Sequence, residues 1–229
     1  MSDGTQQEAS IVRVGLVGGT GPAGRALATR LASVGVDVTI GSRSPEKAKV
    51  SCDEIRARWP DHQLTLEPGE NVDAARADLV VVATPWDAAA VTAGSVAADL
   101  NGKVVISIAN ALERGPDGFQ PVIPRLGSVA AEVQEAVPAA RVVAAFQHLP
   151  ARTLADIEKA INGDVLICSD HDDAVEATAE LVRTIPGLRP LHAGRLASAA
   201  PVEAFTAVLL GVNHRYKARA VVKLNGIPD

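Results

Sequence analysis

The apolar positions of the chain fall into short runs, separated by segments in which apolar residues recur every three or four places. That alternation is the signature of a mostly parallel sheet covered by helices. "IVRVGLVGG" (11–19) predicts a first strand, and Pro22 to Val34 a helix with Leu27, Leu31 and Val34 on one face. "VDVTIG" (36–41) predicts a second strand. A second helix runs from Pro45 to Trp59, with Ser44 placed to cap it before a proline at the first turn. "DLVVVAT" (78–84) is almost continuously apolar, as a strand buried on both faces requires, and Pro85 ends it. A helix from Trp86 to Leu100 leads to a further buried strand, "KVVISIA" (103–109). "ERGPDGFQPVIPRLG" (113–127) is rich in Gly and Pro and predicts a long loop, a kind of segment that often carries function. A helix over 128–137 and the strand "RVVAAF" (141–146) complete this unit.

Beyond residue 150 the pattern changes. A strand "DVLICSD" (164–170), a helix from Asp172 to Ile185, a short strand over 187–194 and a helix from Ala199 to about Val222 are expected. The fold class is therefore α/β: a Rossmann-type, doubly wound parallel sheet over 11–150, with a small C-terminal α/β lobe over 151–229 docked on it. Residues 1–10 read as a flexible tail.

Composition narrows the partners. An apolar share of 47% fills a core for 229 residues, with aromatics at only 3%. A net charge of −5 argues against a nucleic-acid binder, so an anionic ligand needs a local cluster of cations. Cys52 and Cys168 are isolated, as expected of reduced structural thiols. The polar start "MSDGTQQEAS" lacks the apolar region of a secretory signal, and no apolar run is read as long enough for a membrane span. A cytoplasmic protein with no membrane partner is the expectation.

Gly19, Gly21 and Gly24 in "GGTGPAG" form GxGxxG between a strand and a helix. Glycine there permits the tight turn and the close approach of a pyrophosphate, and the helix start at Pro22 offers it unpaired N–H groups. Thr20 can add a hydroxyl donor. The acid that grips the ribose in NAD proteins should stand near the end of the second strand. "TIGSRSPEK" (39–47) has Gly41 there, which reads as space without repulsion. Ser42 offers a hydroxyl, Arg43 a planar guanidinium and Lys47 a point charge one turn on. This combination suits a 2′-phosphate and predicts NADP(H), not NAD(H).

A second ligand belongs beyond the carboxyl ends of the strands. Thr84, Pro85 and Trp86 leave a buried strand at that end. Trp86 either walls a nicotinamide pocket or packs on the core, and Asn110 either bonds a ligand amide or caps a turn. His148 is the best-placed titratable group, as acid, donor or satisfied core histidine. "SDHDDA" (169–174) is expected to cap the following helix through Asp170 or Asp172, not to hold a metal. No acid–base or nucleophile set emerges, and no catalytic side chain is assigned. Hydride transfer between two redox cofactors needs proximity and orientation above all.

"VGLVGGTGPAGRALATRLASVGVDVTIGSRSPEKA" strongly resembles the opening of the NADPH-dependent coenzyme F420 reductases, or F420H2:NADP oxidoreductases. The resemblance continues through "ATPWDA", "RVVAAFQHLPA" and "GLRPLHAGRLASAAPVEAF", and spans about residues 11 to 210. It implies hydride exchange between NADP(H) and the deazaflavin coenzyme F420 in a homodimer, without covalent catalysis. Thr20, Ser42, Arg43 and Lys47 then look like the NADP set. Gln147, His148, Leu149 and Pro150, with Leu209 and Leu210, look like the deazaflavin wall. The family often has His where Gln147 stands; Gln keeps donor and acceptor but cannot become cationic. The tail "KARAVVKLNGIPD" is bulkier than the family's. Two alternatives stay open: an NADPH-dependent reductase of flavin or ferric acceptors, and a non-catalytic NADP-binding regulatory module.

Overall fold

The structure, a computed structural model, describes residues 13–116 and 118–227. The tail expected at 1–10, and the first two residues of the expected first strand, lie outside them. Ten strands are present among the described residues: β1 (Arg13–Val17), β2 (Asp37–Ser42), β3 (Leu66–Glu70), β4 (Leu79–Val82), β5 (Val104–Ser107), β6 (Leu112–Gly115), β7 (Gly118–Pro121), β8 (Arg141–Ala144), β9 (Gly163–Ser169) and β10 (Leu188–Gly194). The helices are α1 (Pro22–Ser33), α2 (Pro45–Arg58), α3 (Asn71–Ala75), α4 (Trp86–Gly94), α5 (Ala97–Leu100), α6 (Val129–Ala136), α7 (Ala151–Leu154), α8 (Asp172–Arg183) and α9 (Ala199–Tyr216).

Eight strands form one sheet in the order β10-β9-β8-β5-β4-β1-β2-β3. Neighbours pair in parallel except β8 and β9, which are antiparallel. From β1 the chain adds β2 and β3 on one side, then returns to add β4 and β5 on the other, so a topological switch point lies between β1 and β4. β9 and β10 extend this same sheet, so the C-terminal elements share its core.

Alternate side chains feed two apolar layers. Leu16 and Val81 face the layer of Leu27, Leu31, Ile55 and Val182, from α1, α2 and α8. Val17 and Val82 face Ala89, Val133 and Val202, from α4, α6 and α9. Small residues on the second set let those helices lie close to the sheet, which explains the scarcity of aromatics.

Several expectations need correction. Residues 113–127 are not one long loop: β6 and β7 pair as an antiparallel hairpin, Arg114 opposite Phe119. The helix expected over 86–100 is two helices, broken after Gly94, where the Ser95 hydroxyl donates to the Thr92 carbonyl at 2.7 Å. β3 and α3 were not foreseen. In "SDHDDA" the N-cap is His171, not Asp170 or Asp172, although Asp172 and Asp173 occupy the first turn of α8. Asp170 instead accepts the Leu196 N–H at 3.2 Å. The last helix stops at Tyr216, where Lys217 turns left-handed with φ 49°. Contrary to the reading of the apolar runs, Leu196–Tyr216 is long and apolar enough to cross a membrane by length and composition. Here it packs along β7 and α6. Glu203 within it is buried, and its carboxylate accepts the Val129 and Ala130 N–H groups at 2.9 and 3.2 Å.

Candidate functional site

After β1 the chain turns at Gly18, φ 69°. A Cβ on Gly18 would fall 2.1 Å from Cγ2 of Thr84, so the loops after β1 and β4 touch at the switch point. Asn71, from α3, accepts the Gly18 N–H at 3.0 Å, and the Gly41 carbonyl accepts the Gly19 N–H at 2.9 Å. Gly24 has no room for a side chain: a Cβ would stand 2.6 Å from the Gly19 oxygen. Gly21 is the opposite case, because a Cβ there would meet only the Ala83 oxygen, at 3.9 Å. Gly21 is also the N-cap of α1, with no side-chain cap and no acid in the first turn. Thr20 and Pro22 flank it. The first amides of α1 therefore face open space with the positive helix end behind them, a seat for a pyrophosphate.

Ser42 ends β2, buried, and its hydroxyl accepts the Ser44 N–H at 3.2 Å. Ser44 caps α2, as expected, accepting the Lys47 N–H at 3.4 Å. Arg43 and Lys47 are exposed, and among the described residues neither side chain makes a hydrogen bond or ion pair. Two cations and a hydroxyl are thus set at the strand end. Gly41 has a structural reason beside the one expected. A Cβ there would fall 2.7 Å from that of Ala74 and 3.1 Å from the Glu70 oxygen, so its bareness serves the packing of α3.

Across the switch point, Thr84 Oγ1 is buried without a partner. Pro85 caps α4, and Trp86, partly buried, packs one face against the α4–α6 layer. Both ends of the Asn110 amide are engaged: its nitrogen donates to the Gln147 carbonyl at 2.8 Å and its oxygen accepts the Thr206 hydroxyl at 3.0 Å. It therefore ties the ends of β5 and β8 to α9.

Phe146, φ 64°, kinks the chain after β8 into the segment carrying Gln147. Gln147 is 4% exposed, and both of its amide atoms lack partners. A buried amide left so costs about 1–3 kcal/mol for each unmet group, which marks a place for a polar ligand edge. His148 is a core histidine: its Nε2 bonds the Asp164 carbonyl at 2.9 Å, and burial pushes its pKa below the usual value. An imidazole so held is neutral at physiological pH and is not poised as an acid. Gln147, His148, Leu149 and Pro150 line one side of a cavity of about 210 Å³, and Leu209 and Leu210 the other. Ala23 and Leu27 of α1 also line it, which joins this cavity to the helix that begins at the glycine loop.

A wider cleft, about 840 Å³, runs between α1, α2 and α7 and meets the site through Thr20 and Pro22 and, at the smaller cavity, through Ala151. Its charges are partly paired, as in Arg25–Glu54 at 2.6 Å. No group of metal-ligating side chains occurs among the described residues. Asn71, Thr206 and Arg30 were missed by sequence reasoning. Only Asn71 left a signal, as a polar residue opening a helix directly after an edge strand.

The geometry has counterparts in known proteins. A family model described as "NADP oxidoreductase coenzyme F420-dependent" matches residues 13–111. The F420-dependent NADP reductase of Methanothermobacter thermautotrophicus is 32% identical over 225 residues, covering 96% of this chain and 97% of that protein. The enzyme of the same description from Methanocaldococcus jannaschii is 31% identical over 213 residues, covering 91% and 95%. A solved structure from Arthrobacter sp. FB24, described as a candidate F420-dependent NADP reductase, superposes with a TM-score of 0.78 at 25% identity, covering 93% of this chain and 99% of that one. Full-length similarity at this level, on a glycine loop and cavity that touch across one switch point, shows that the chain belongs to the F420-dependent NADP reductase family.

Proposed function

We propose that the protein passes hydride between NADP(H) and coenzyme F420: NADPH + F420 + H⁺ = NADP⁺ + F420H2. One observation carries this reading: the cavity lined by Gln147–Pro150 and Leu209–Leu210 meets α1 at Ala23, within the glycine-rich segment itself. A nicotinamide entering from the loop and a ring in the cavity then share one helix end. When bound, the two coenzymes supply the chemistry, with hydride passing from nicotinamide C4 to deazaflavin C5. The chain supplies position. Thr20 and the first amides of α1 hold the pyrophosphate; Ser42, Arg43 and Lys47 hold the 2′-phosphate. Thr84, Pro85 and Trp86 border the nicotinamide, and Asn110 sets the wall beside it. Gln147 meets the polar edge of the deazaflavin, while Leu149, Pro150, Leu209 and Leu210 keep water from the transfer. Residues 151–229 complete the deazaflavin side of a Rossmann domain formed by 11–150.

We place the protein in the cytoplasm as a homodimer. The buried, unpaired thiols of Cys52 and Cys168 suit a reducing compartment. The exposed Phe205, Val208, Val212 and Tyr216 of α9 suit a second copy. The function is tested by mixing protein, NADPH and oxidised coenzyme F420 while following the deazaflavin absorbance. Bleaching at a rate proportional to enzyme is expected. Rapid reduction of free flavin without bleaching would replace this reading by the flavin or ferric reductase.

A further inference from the structure

Asn71 opens α3 directly after β3. Ser42 lies opposite Glu70 in the β2–β3 register, so Asn71 and Arg43 follow their strands at the same level. From there the Asn71 oxygen accepts the Gly18 N–H at 3.0 Å, on the turn after β1. β2 stands between β3 and β1 in the sheet, so the Asn71–Gly18 link spans the end of β2, where Ser42 and Arg43 stand. α3 approaches from the face opposite α2: its Ala74 and Ala75 belong to the layer of Val17 and Val82, whereas Cys52 and Ile55 of α2 belong to the other layer. The approach is close. A Cβ on Gly15 would fall 1.8 Å from the Ala74 oxygen.

The ordinary duties of such a residue do not call for an asparagine. Capping is done by its neighbours: Glu70 is the N-cap of α3, and its N–H donates to the Asp73 carboxylate at 2.9 Å. Holding the Gly18 N–H needs only an acceptor, and an aspartate of the same size would accept it more strongly. What the amide adds is a donor. Because Gly18 supplies an N–H, the end of the carboxamide that faces it is the oxygen, and the nitrogen points away from that bond. Asn71 is 8% exposed, its Nδ2 is not enclosed, and among the described residues that nitrogen donates to nothing. A donor fixed in this way, at the end of β2 and on the face opposite Arg43 and Lys47, suits an oxygen that those cations leave uncovered.

We infer that Asn71 is a further reader of the 2′-phosphate, donating from Nδ2 to a phosphate oxygen while its own oxygen stays on Gly18. The inference rests on the proposed NADP(H) site at Ser42, Arg43 and Lys47, and adds to it a residue from another element. The phosphate is then held from both faces of the sheet, by cations on the α2 side and an amide on the α3 side. The neutral amide is the form the place requires, since a carboxylate there would keep the turn but repel the phosphate. One side chain so ties recognition of the phosphate to the turn that precedes the pyrophosphate seat.

The test measures direct binding of NADPH and NADH by titration calorimetry, with no acceptor present, in the parent protein and in Asn71→Asp. The aspartate keeps the bond to Gly18 and exchanges the donor for a negative charge. Its Kd for NADPH should rise roughly tenfold or more, and its Kd for NADH by less than about threefold, so the preference for NADPH falls steeply. Asn71→Ala adds no charge and loses both ends of the amide. It should weaken NADH as well, through the loosened turn, but NADPH further, so the preference falls there too; it carries the test alone if the aspartate variant does not fold. A preference that stays at the parent's value in either folded variant would overturn the inference, because Asn71 would then serve only the turn or the ribose common to both cofactors. A parent that binds NADPH no more tightly than NADH would instead overturn the NADP(H) reading of Ser42, Arg43 and Lys47, and the inference with it.

Discussion

Arg43 and Lys47 stand at the end of β2 and the start of α2 with no partner of their own, beside the buried Ser42 hydroxyl. Exposed cations without partners cost the fold little to remove, so a change there reports on ligand alone. Arg43→Ala should raise the KM for NADPH by roughly tenfold or more, the size of a lost charge-assisted phosphate contact, and leave the KM for NADH nearly unchanged. Steady-state kinetics with both cofactors decides the point: equal effects would show that Arg43 does not read the phosphate. The neighbouring Gly41 shows where residue-level reading falls short. Its position at the strand end was legible, but its packing role was not, because Ala74 comes from a helix with no apolar run to announce it. Gln147 is a similar case. A resemblance singled it out, whereas its place on a cavity wall and the lack of hydrogen-bond partners for its amide could be known only after folding.

Among the elements, α1 does more than present its first turn. Arg30, 2% exposed near its end, reaches across to the segment after β8. Its guanidinium donates to the carbonyls of Leu154 and Thr153 at 3.0 and 3.1 Å, and to those of Asp156 and Lys159 at 2.5 and 3.1 Å. That segment includes α7, whose Ala151 and Leu154 line the ring cavity. A single side chain thus fixes this wall of the cavity to α1. Arg30→Met should leave those carbonyls unmet, lower stability by about 3 kcal/mol and raise the KM for the deazaflavin more than that for NADPH. Urea unfolding with parallel kinetics checks both; a stability loss with equal KM effects would reduce Arg30 to a purely structural part. Nothing in "RALATRLAS" distinguishes Arg30 from a solvated helix arginine, because its partners are backbone carbonyls more than 120 residues away. The elements that were foreseen have steep patterns, as in "DLVVVAT". Those missed do not: β3 contains Pro68 and Gly69 at a sheet edge, and β6 and β7 are short and largely exposed, joined at "GPDG".

For the molecule as a whole, the docking of α9 makes one contribution to stability depend on pH. Burial raises the Glu203 carboxyl to about 7, against two N–H bonds from the start of α6 that pull it down. The folded state thus holds a proton that the unfolded chain, with an ordinary glutamate near 4.5, releases earlier. Between these values the folded state binds more protons, so its stability falls as pH rises. This contribution is full below 4.5 and lost above about 7, a change of about 3 kcal/mol. Glu203→Gln, neutral at every pH, should flatten the fall of Tm between pH 5 and 8. An unchanged slope in thermal scans would show that Glu203 is not its source.

The seam between β1 and β4 has a consequence for how such a protein can change over time. Everything proposed to tell NADP(H) from NAD(H) follows β1 and lies on the β2 side of the sheet. Everything proposed to select the acceptor is carried by β5, β8 and α9, on the other side. The two specificities occupy opposite flanks and meet only where hydride would cross. Mutations can therefore retune the donor while the acceptor stays fixed, or exchange the acceptor while the donor stays fixed. A lineage built on this sheet is free to explore one partner at a time.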